Sequence, residues 1–229
     1  MLHINPLVYD HLEEYKMAYA RDKIVTIRDL LVEQDANRLS EYLLSVPDSQ
    51  WLYAIHPYME NNYTFDNNQE NKDHIEKGIM SANNAYHRGL FSYCFRRFEG
   101  YEQDGITIKE FLLSSQFLNL LHQITNLSLT SIVSNFGSCY AKDNYLSTHS
   151  DGNRGKIAYV FNLTKHWKEE WGGNFELLQD DYSGLKQRVT PNCNAFTLFD
   201  VSGSGKPHRV ERVKSDVQGK RIAFSGWLA

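Results

Sequence analysis

The stretch "TSIVSNFGSCY", residues 130–140, sets β-branched and aromatic residues among small polar ones, and from here on the chain reads differently. Further short runs of the same kind follow: "KIAYVFNLT" (156–164), "GGNFELL" (172–178), "NAFTLFDV" (194–201), "HRVERVK" (208–214) and "RIAFSGWLA" (221–229). Turn residues such as Asp-Gly and Gly-Gly separate them. Strands at such short spacing predict an antiparallel double sheet, a double-stranded β-helix or jelly roll. Gly172 and Gly173 are expected to make a hairpin turn ahead of a strand.

Upstream of Asn126 the pattern is helical, with irregular insertions. In "QDANRLSEYLLSVP", Leu39, Tyr42, Leu43 and Val46 share one stripe at helical spacing, and Pro47 ends it. "HPYMENNYTFDNNQENKDH" (56–74) loses all periodicity and reads as a loop, with "YTFDNNQENK" as a candidate lid. "TIKEFLLSSQFLNLLHQIT" (107–125) reads as one helix, opened by Thr107 and Glu110 at capping-box spacing and turning Phe111, Leu112, Phe117, Leu118 and Leu121 to a core. Helices first and strands afterwards give the α+β class, with helices packed on one face of a β core. We expect one domain over 1–229, with 1–128 a mainly helical and loop support and 129–229 the jelly-roll core.

Composition limits the function classes. The 229 residues are 41% hydrophobic, enough for a sizeable core, and the net charge of −4 offers no basic stripe for nucleic acid. Cys94, Cys139 and Cys193 are odd in number and irregularly spaced, which fits neither a disulfide framework nor a zinc site. A reducing, cytoplasmic setting is expected, with no membrane span and no processed leader.

The chemistry concentrates in "YLSTHSDGNRG" (145–155), where His149 and Asp151 stand two apart. Residues i and i+2 of an extended segment point the same way, so both can face one metal ion. Two histidines and one carboxylate on one face of an octahedron leave three positions open, the facial triad of non-haem iron(II). The pair alone is weak evidence, and a third ligand must come from a neighbouring strand. His208, 57 residues after Asp151, opens an alternating run and is the candidate. His3, His11, His56, His74, His87, His122 and His166 sit in helix, loop or turn sequence and are expected to be ordinary surface or core imidazoles. Arg221, thirteen residues after His208, lies in "GKRIAFSGWLA". An arginine buried among apolar strand residues needs an anion, because an unpaired buried charge is costly. The far carboxylate of 2-oxoglutarate would be such an anion.

These phrases, "HSDGNRGKIAYVFNLTKHWKEEWGGNFELL", "PNCNAFTLFDV", "HRVERV" and "GKRIAFSGWL", resemble in order and spacing the prolyl-4-hydroxylase-like branch of the iron(II)/2-oxoglutarate dioxygenases. More loosely, "NNAYHRGLFSYCFRRF" upstream is similar too. The resemblance implies His149, Asp151 and His208 as iron(II) ligands and Arg221 as the 2-oxoglutarate clamp. It also implies Tyr140, nine residues before His149, as a hydrogen-bond donor to the cosubstrate. A second tyrosine of the family reaches the cosubstrate from the strand "IAYVFNLT"; here Asn162 stands in that slot, with Tyr159 three residues earlier. Trp167, Trp171 and Trp227 are expected to pack in the core or rim. The implied activity is hydroxylation of an unactivated C–H bond with dioxygen and 2-oxoglutarate, ascorbate serving as reductant. Related halogenases have a small residue in place of the carboxylate, so Asp151 favours hydroxylation. The substrate expected is a prolyl residue in a protein or peptide, or else a free amino acid or other small molecule. In the second case Arg88, Arg96 or Arg97 would take its carboxylate. A reading of another class is a non-catalytic, cupin-like module holding a metal or sugar, which would leave Arg221 unexplained, or an iron- or 2-oxoglutarate-occupied sensor that acts through partner binding.

Overall fold

The computed structural model describes residues 1–57, 63–66, 68–100, 108–203 and 205–229. In chain order the regular elements are α1 (Leu12–Asp22), β1 (Ile24–Ile27), α2 (Glu33–Ser45), β2 (Leu52–His56), β3 (Tyr63–Phe65), α3 (Lys72–His87), β4 (Tyr93–Phe98), α4 (Ile108–Leu112) and α5 (Ser115–Thr125). There follow β5 (Ile132–Tyr140), β6 (Tyr145–His149), β7 (Ile157–Asn162), β8 (Phe175–Leu178), β9 (Leu185–Val189), β10 (Ala195–Asp200), β11 (His208–Val210) and β12 (Arg221–Leu228).

The strands form one antiparallel sheet that curls into a half-barrel, in the order β1-β10-β7-β12-β5-β4-β6-β11-β8-β9, with β2 and β3 added beside β4. Strand β4 makes the corner. Its Arg96–Phe98 half pairs with β5, while Tyr93 and Cys94 pair with Leu146 and Tyr145 of β6. Two facing layers result, β1-β10-β7-β12-β5-β4 and β6-β11-β8-β9, which is the jelly-roll core with supporting helices that the strand pattern predicts. The first 128 residues give it more than helices, since β1 closes one end of the large layer and β2, β3 and β4 extend the other. Strands as short as "IVTI", set between helices, carry too few residues to display a period.

Alternation along the strands sorts residues between two interiors. On the outer face of the large layer, Cys139, Tyr159, Phe161, Ile222, Phe224 and Leu228 join one apolar cluster with Leu39, Leu43, Phe117 and Leu121 of the helices. On the inner face, Phe136 and Tyr140 of β5 pack with Phe95 and Val210 around a separate core. Glycine Gly137, between them, keeps β5 close to Phe98 and Leu43, where a Cβ would meet atoms at 3.3–3.4 Å.

Three local expectations change. The helix read over 107–125 is two helices, broken at Ser114; its backbone is extended, and its side chain accepts from the Phe117 amide and caps α5. Serine competes for backbone partners inside a helix and favours the cap. Thr107, the other half of the expected capping box, lies outside the described residues. The polar run 56–74 is not one loop, because 63–65 pair with β2 and α3 begins at Lys72; residues 58–62 and 67 lie outside the described residues. Gly172 and Gly173 do not turn a hairpin either. Strand β7, before them, pairs with β10 and β12, and β8, after them, pairs with β9 and β11, so the glycines carry the chain between layers. Both have positive φ, and a Cβ on Gly172 would run into the Arg212 carbonyl oxygen.

The three cysteines are free, and among the described residues no helix is long and apolar enough to cross a membrane.

The contrast between two glycines tests this account of the crossing. Gly89 also has positive φ but open space around it. Gly89→Ala should cost only the backbone strain, about 1 kcal/mol, whereas Gly172→Ala adds a clash with backbone and should cost at least ~2 kcal/mol in denaturant unfolding. Equal losses would show that the close approach at Arg212 is relaxed without cost.

Candidate active site

Antiparallel pairing builds the site two residues at a time. His149 ends β6 and His208 begins β11, and the two are cross-strand partners. Arg221 begins β12 and Tyr140 ends β5, and they too are partners. The first pair belongs to the small layer and the second to the large one, so the half-barrel sets them across a common interior of about 480 Å³ that both line.

Asp151 follows β6 at once, and glycine at 152 and Asn153 turn the chain back with positive φ. Its carboxylate oxygens stand 3.5 Å from His149 Nε2 and 3.6 Å from His208 Nε2, and the three ligand atoms lie within 4.8 Å of one another. Among the described residues this is the one cluster of three or more such side chains that could hold a metal ion. Each imidazole is fixed from behind. His149 Nδ1 lies 3.0 Å from the Ser147 carbonyl and His208 Nδ1 lies 2.7 Å from that of Lys206. A carbonyl only accepts, so Nδ1 carries the proton and the Nε2 lone pair faces the carboxylate, the tautomer a metal requires. Burial pushes the His208 imidazole down to about 4, which keeps it neutral and available as a ligand. Burial also raises the Asp151 carboxyl, but its polar neighbours His149, His208 and Trp227 outweigh it and hold the group below its ordinary value. The donor set therefore fits iron(II): two neutral nitrogens and one anionic oxygen on one side, with cavity on the other.

His208 packs against Phe199 and Phe175, with ring centroids at 4.7 and 5.5 Å, and is only 5% exposed. Beginning a short strand, it reads as a rim residue in the sequence. It is a core residue, because the bulky rings of both layers close around it.

Arg221 is 1% exposed. One guanidinium nitrogen, Nη2, reaches Asn162 Oδ1 at 3.4 Å, and the group lies over the Tyr140 ring at 5.0 Å. Among the described residues its Nε and Nη1 are buried without a hydrogen-bond partner, and burial lowers its pKa to about 10. Such a group, left with two unmet donors, is a receptor for an anion. Tyr140 stacks on Phe95 at 5.0 Å, and burial raises its hydroxyl, which therefore stays a donor. Asn162 thus touches the arginine itself. Tyr159 faces the helices instead, stacked on Phe196 and donating to Asn135 Oδ1 at 2.7 Å.

Of the three arginines considered for substrate, one reaches the cavity. Arg97 lines it, its guanidinium 4.0 Å above Phe136. Arg96, the next residue on β4, points the other way to Asp48 at 3.3 Å, and Arg88 is exposed at the end of α3. The period of two in Tyr93, Phe95 and Arg97 could have separated them from Cys94 and Arg96. Arg154, three residues past Asp151, also lines the cavity, a placement its sequence does not signal, because nothing in a turn sequence says which way a side chain points. Trp227 forms part of the wall, 6.1 Å from Phe136, while Trp167 and Trp171 pack edge to face at 5.3 Å.

Comparison with known proteins bears on the same part of the chain. Residues 136–229, which include all three metal-ligand candidates and Arg221, match the model of the 2OG-Fe(II) oxygenase superfamily. No curated protein sequence matches significantly. Among solved structures, a Pseudomonas putida prolyl-4-hydroxylase aligns with TM-score 0.63 at 13% identity, over 95% of this chain and 98% of that one. A 2OG-Fe(II) oxygenase family oxidoreductase from Burkholderia pseudomallei gives 0.62 at 10% identity, over 95% and 90%. The non-heme alpha ketoglutarate dependent epimerase SnoN from nogalamycin biosynthesis gives 0.57 at 12%, over 95% and 81%. At these identities the likeness is one of fold. Residues 136–229 form a 2OG-Fe(II) oxygenase domain, and the chain is a 2-oxoglutarate-dependent dioxygenase with a fold like that of prolyl-4-hydroxylases.

Proposed function

We propose that His149, Asp151 and His208 bind iron(II), that Arg221 and Tyr140 bind the far carboxylate of 2-oxoglutarate, and that the enzyme hydroxylates a prolyl residue in a protein or peptide. The observation that carries the reading is the buried, half-satisfied guanidinium of Arg221, in the same cavity as the triad. A dicarboxylic acid that chelates the metal at one end presents an anion at the other, and the guanidinium, with Nε and Nη1 still unmet, has donors to spare for it. A non-catalytic metal-binding module would have no use for those donors.

With iron(II) and 2-oxoglutarate bound, the site supplies dioxygen activation coupled to release of succinate and carbon dioxide. The chain's own residues orient and exclude. The carbonyls behind His149 and His208 hold the lone pairs on the metal position, Asp151 balances charge, and the Tyr140 hydroxyl donates toward the cosubstrate. Phe95, Phe175 and Phe199 keep water from the reacting face.

Three features support a prolyl substrate. The cavity wall is aromatic, with Phe91, Tyr93, Phe136 and Trp227 offering flat apolar faces to a saturated ring. Among the described residues β3 pairs only with β2, which leaves an open edge for an extended peptide. The fold likeness to a prolyl-4-hydroxylase points the same way. A free amino acid is the second reading, with Arg97, the one of the three arginines that lines the cavity, for its carboxylate.

His149→Ala should abolish stoichiometric iron(II) binding, measured by metal analysis after desalting, and succinate release with it. His149 is the cleaner variant, since His208→Ala also opens a hole against Phe199. Iron retained at one equivalent in both variants would sink the assignment.

Arg221→Ala should weaken 2-oxoglutarate binding by about 2–4 kcal/mol, roughly thirtyfold to nearly a thousandfold, while iron stays bound. Arg221→Lys should recover only part, for want of the fork. Unchanged cosubstrate affinity in both variants would place the anion elsewhere.

A further inference from the structure

The charged groups lining the cavity do not balance. Among the described residues three guanidiniums, Arg97, Arg154 and Arg221, face one carboxylate, Asp151, in a chain whose net charge is −4. Iron(II) and dianionic 2-oxoglutarate would cancel each other on loading, so two positive charges remain. Arg221 is consumed by the cosubstrate in the proposed reading, which leaves Arg97 and Arg154.

These two stand together, away from Arg221. Along β12 the cavity side runs from Arg221 through Ser225 to Trp227, and along β5 from Tyr140 through Ser138 to Phe136. Six residues of strand span about 20 Å, so the Phe136 and Trp227 end is the pole opposite the 2-oxoglutarate clamp. Phe136 and Trp227 lie 6.1 Å apart there; Arg97 covers the first at 4.0 Å and Arg154 the second at 5.4 Å. The row of guanidinium, ring, ring, guanidinium makes one surface. Both arginines act on the Tyr93 hydroxyl in the same cavity: burial raises its pKa, and the two positive charges oppose the rise.

Neither cation is buried by an internal partner of equal weight. Arg97 has Glu99 at 2.8 Å, but Glu99 is more than half exposed, and water competes for it. Arg154 is exposed and, among the described residues, has no carboxylate within ion-pair distance. Planar guanidiniums parked on aromatic faces keep their N–H edges free for a carboxylate.

We infer that Arg97 and Arg154 form a second anion-reading site, which takes an acidic side chain next to the target residue and so selects acidic prolyl sequences. The inference rests on the prolyl reading above for the word prolyl, but the anion preference stands on the cavity's charge alone. With the cosubstrate on the clamp at one end and this pair at the other, the substrate would be held by its acidic neighbour with its C–H bond toward the triad.

The experiment uses pentapeptides with a central proline and Glu or Gln, or Asp or Asn, at each flanking position in turn. Each is titrated by calorimetry into the full chain loaded with iron(II) and 2-oxoglutarate without oxygen, then incubated in air and weighed for one added oxygen. At one flanking position the acidic peptide should bind at least tenfold tighter than its amide. Arg154→Gln, a change at an exposed position that leaves the core intact, should cut that ratio below threefold, and the double variant with Arg97→Gln should erase it. Equal or absent binding of acid and amide at every position, or an acid preference that survives the double variant, overturns the inference. Hydroxylation of proline without an acid preference contradicts this inference alone. Preferential acidic binding with no oxygen added to proline contradicts the prolyl reading alone.

Discussion

A guanidinium held inside a protein without a counter-charge is the constraint around which this molecule is arranged. Arg221 is 1% exposed and, among the described residues, two of its nitrogens have no hydrogen-bond partner. Leaving a charge so placed costs several kcal/mol, and a fold keeps it only where something else recovers the loss. Here Asn162 and the Tyr140 ring hold its geometry without neutralising it. Binding of a dianion would then stabilise the fold as well as complete the site, by linkage.

The antiparallel register turns this into an active site. Pairing of β11 with β6 brings His208 opposite His149, and pairing of β12 with β5 brings Arg221 opposite Tyr140. Neither pair would meet the other in a flat sheet. The corner at β4, one half paired to β5 and the other to β6, folds the small layer over the large one and encloses the cavity. Outside that enclosure the helices serve the opposite face, where Phe117, Leu121, Leu39 and Leu43 pack against Phe161 and Phe224. Chemistry and core thus occupy alternate residues of the same strands, as Arg221 and Ile222 illustrate.

Much of this was legible in the residues. The strand runs after Asn126, the two-residue spacing of His149 and Asp151, and an arginine among apolar strand residues each have a local physical meaning, and together they point to the jelly roll and its triad. What escaped was tertiary. Ser114 breaks a helix whose apolar period runs straight through it, because its cap bond with the Phe117 amide is a local competitor that periodicity does not weigh. Gly172 and Gly173 carry an ordinary turn signal, yet they serve a close approach to Arg212, 40 residues away in sequence from Gly172. Arg96 and Arg97 are chemically alike, and only the strand's pleat sends one to Asp48 and the other to the cavity. Tyr159 sits on the same strand as Asn162 but three residues away, hence on the opposite face.

The central claim is that one cavity binds a metal at His149, Asp151 and His208 and the far carboxylate of 2-oxoglutarate at Arg221. Crystals grown without oxygen in manganese(II), as an unreactive stand-in for iron(II), and 2-oxoglutarate test it by anomalous diffraction. The account predicts one anomalous peak bonded to His149 Nε2, an Asp151 oxygen and His208 Nε2, with the cosubstrate's distal carboxylate hydrogen-bonded to the Arg221 guanidinium. A peak elsewhere, or a cosubstrate whose carboxylate leaves Arg221 unpaired, would contradict it.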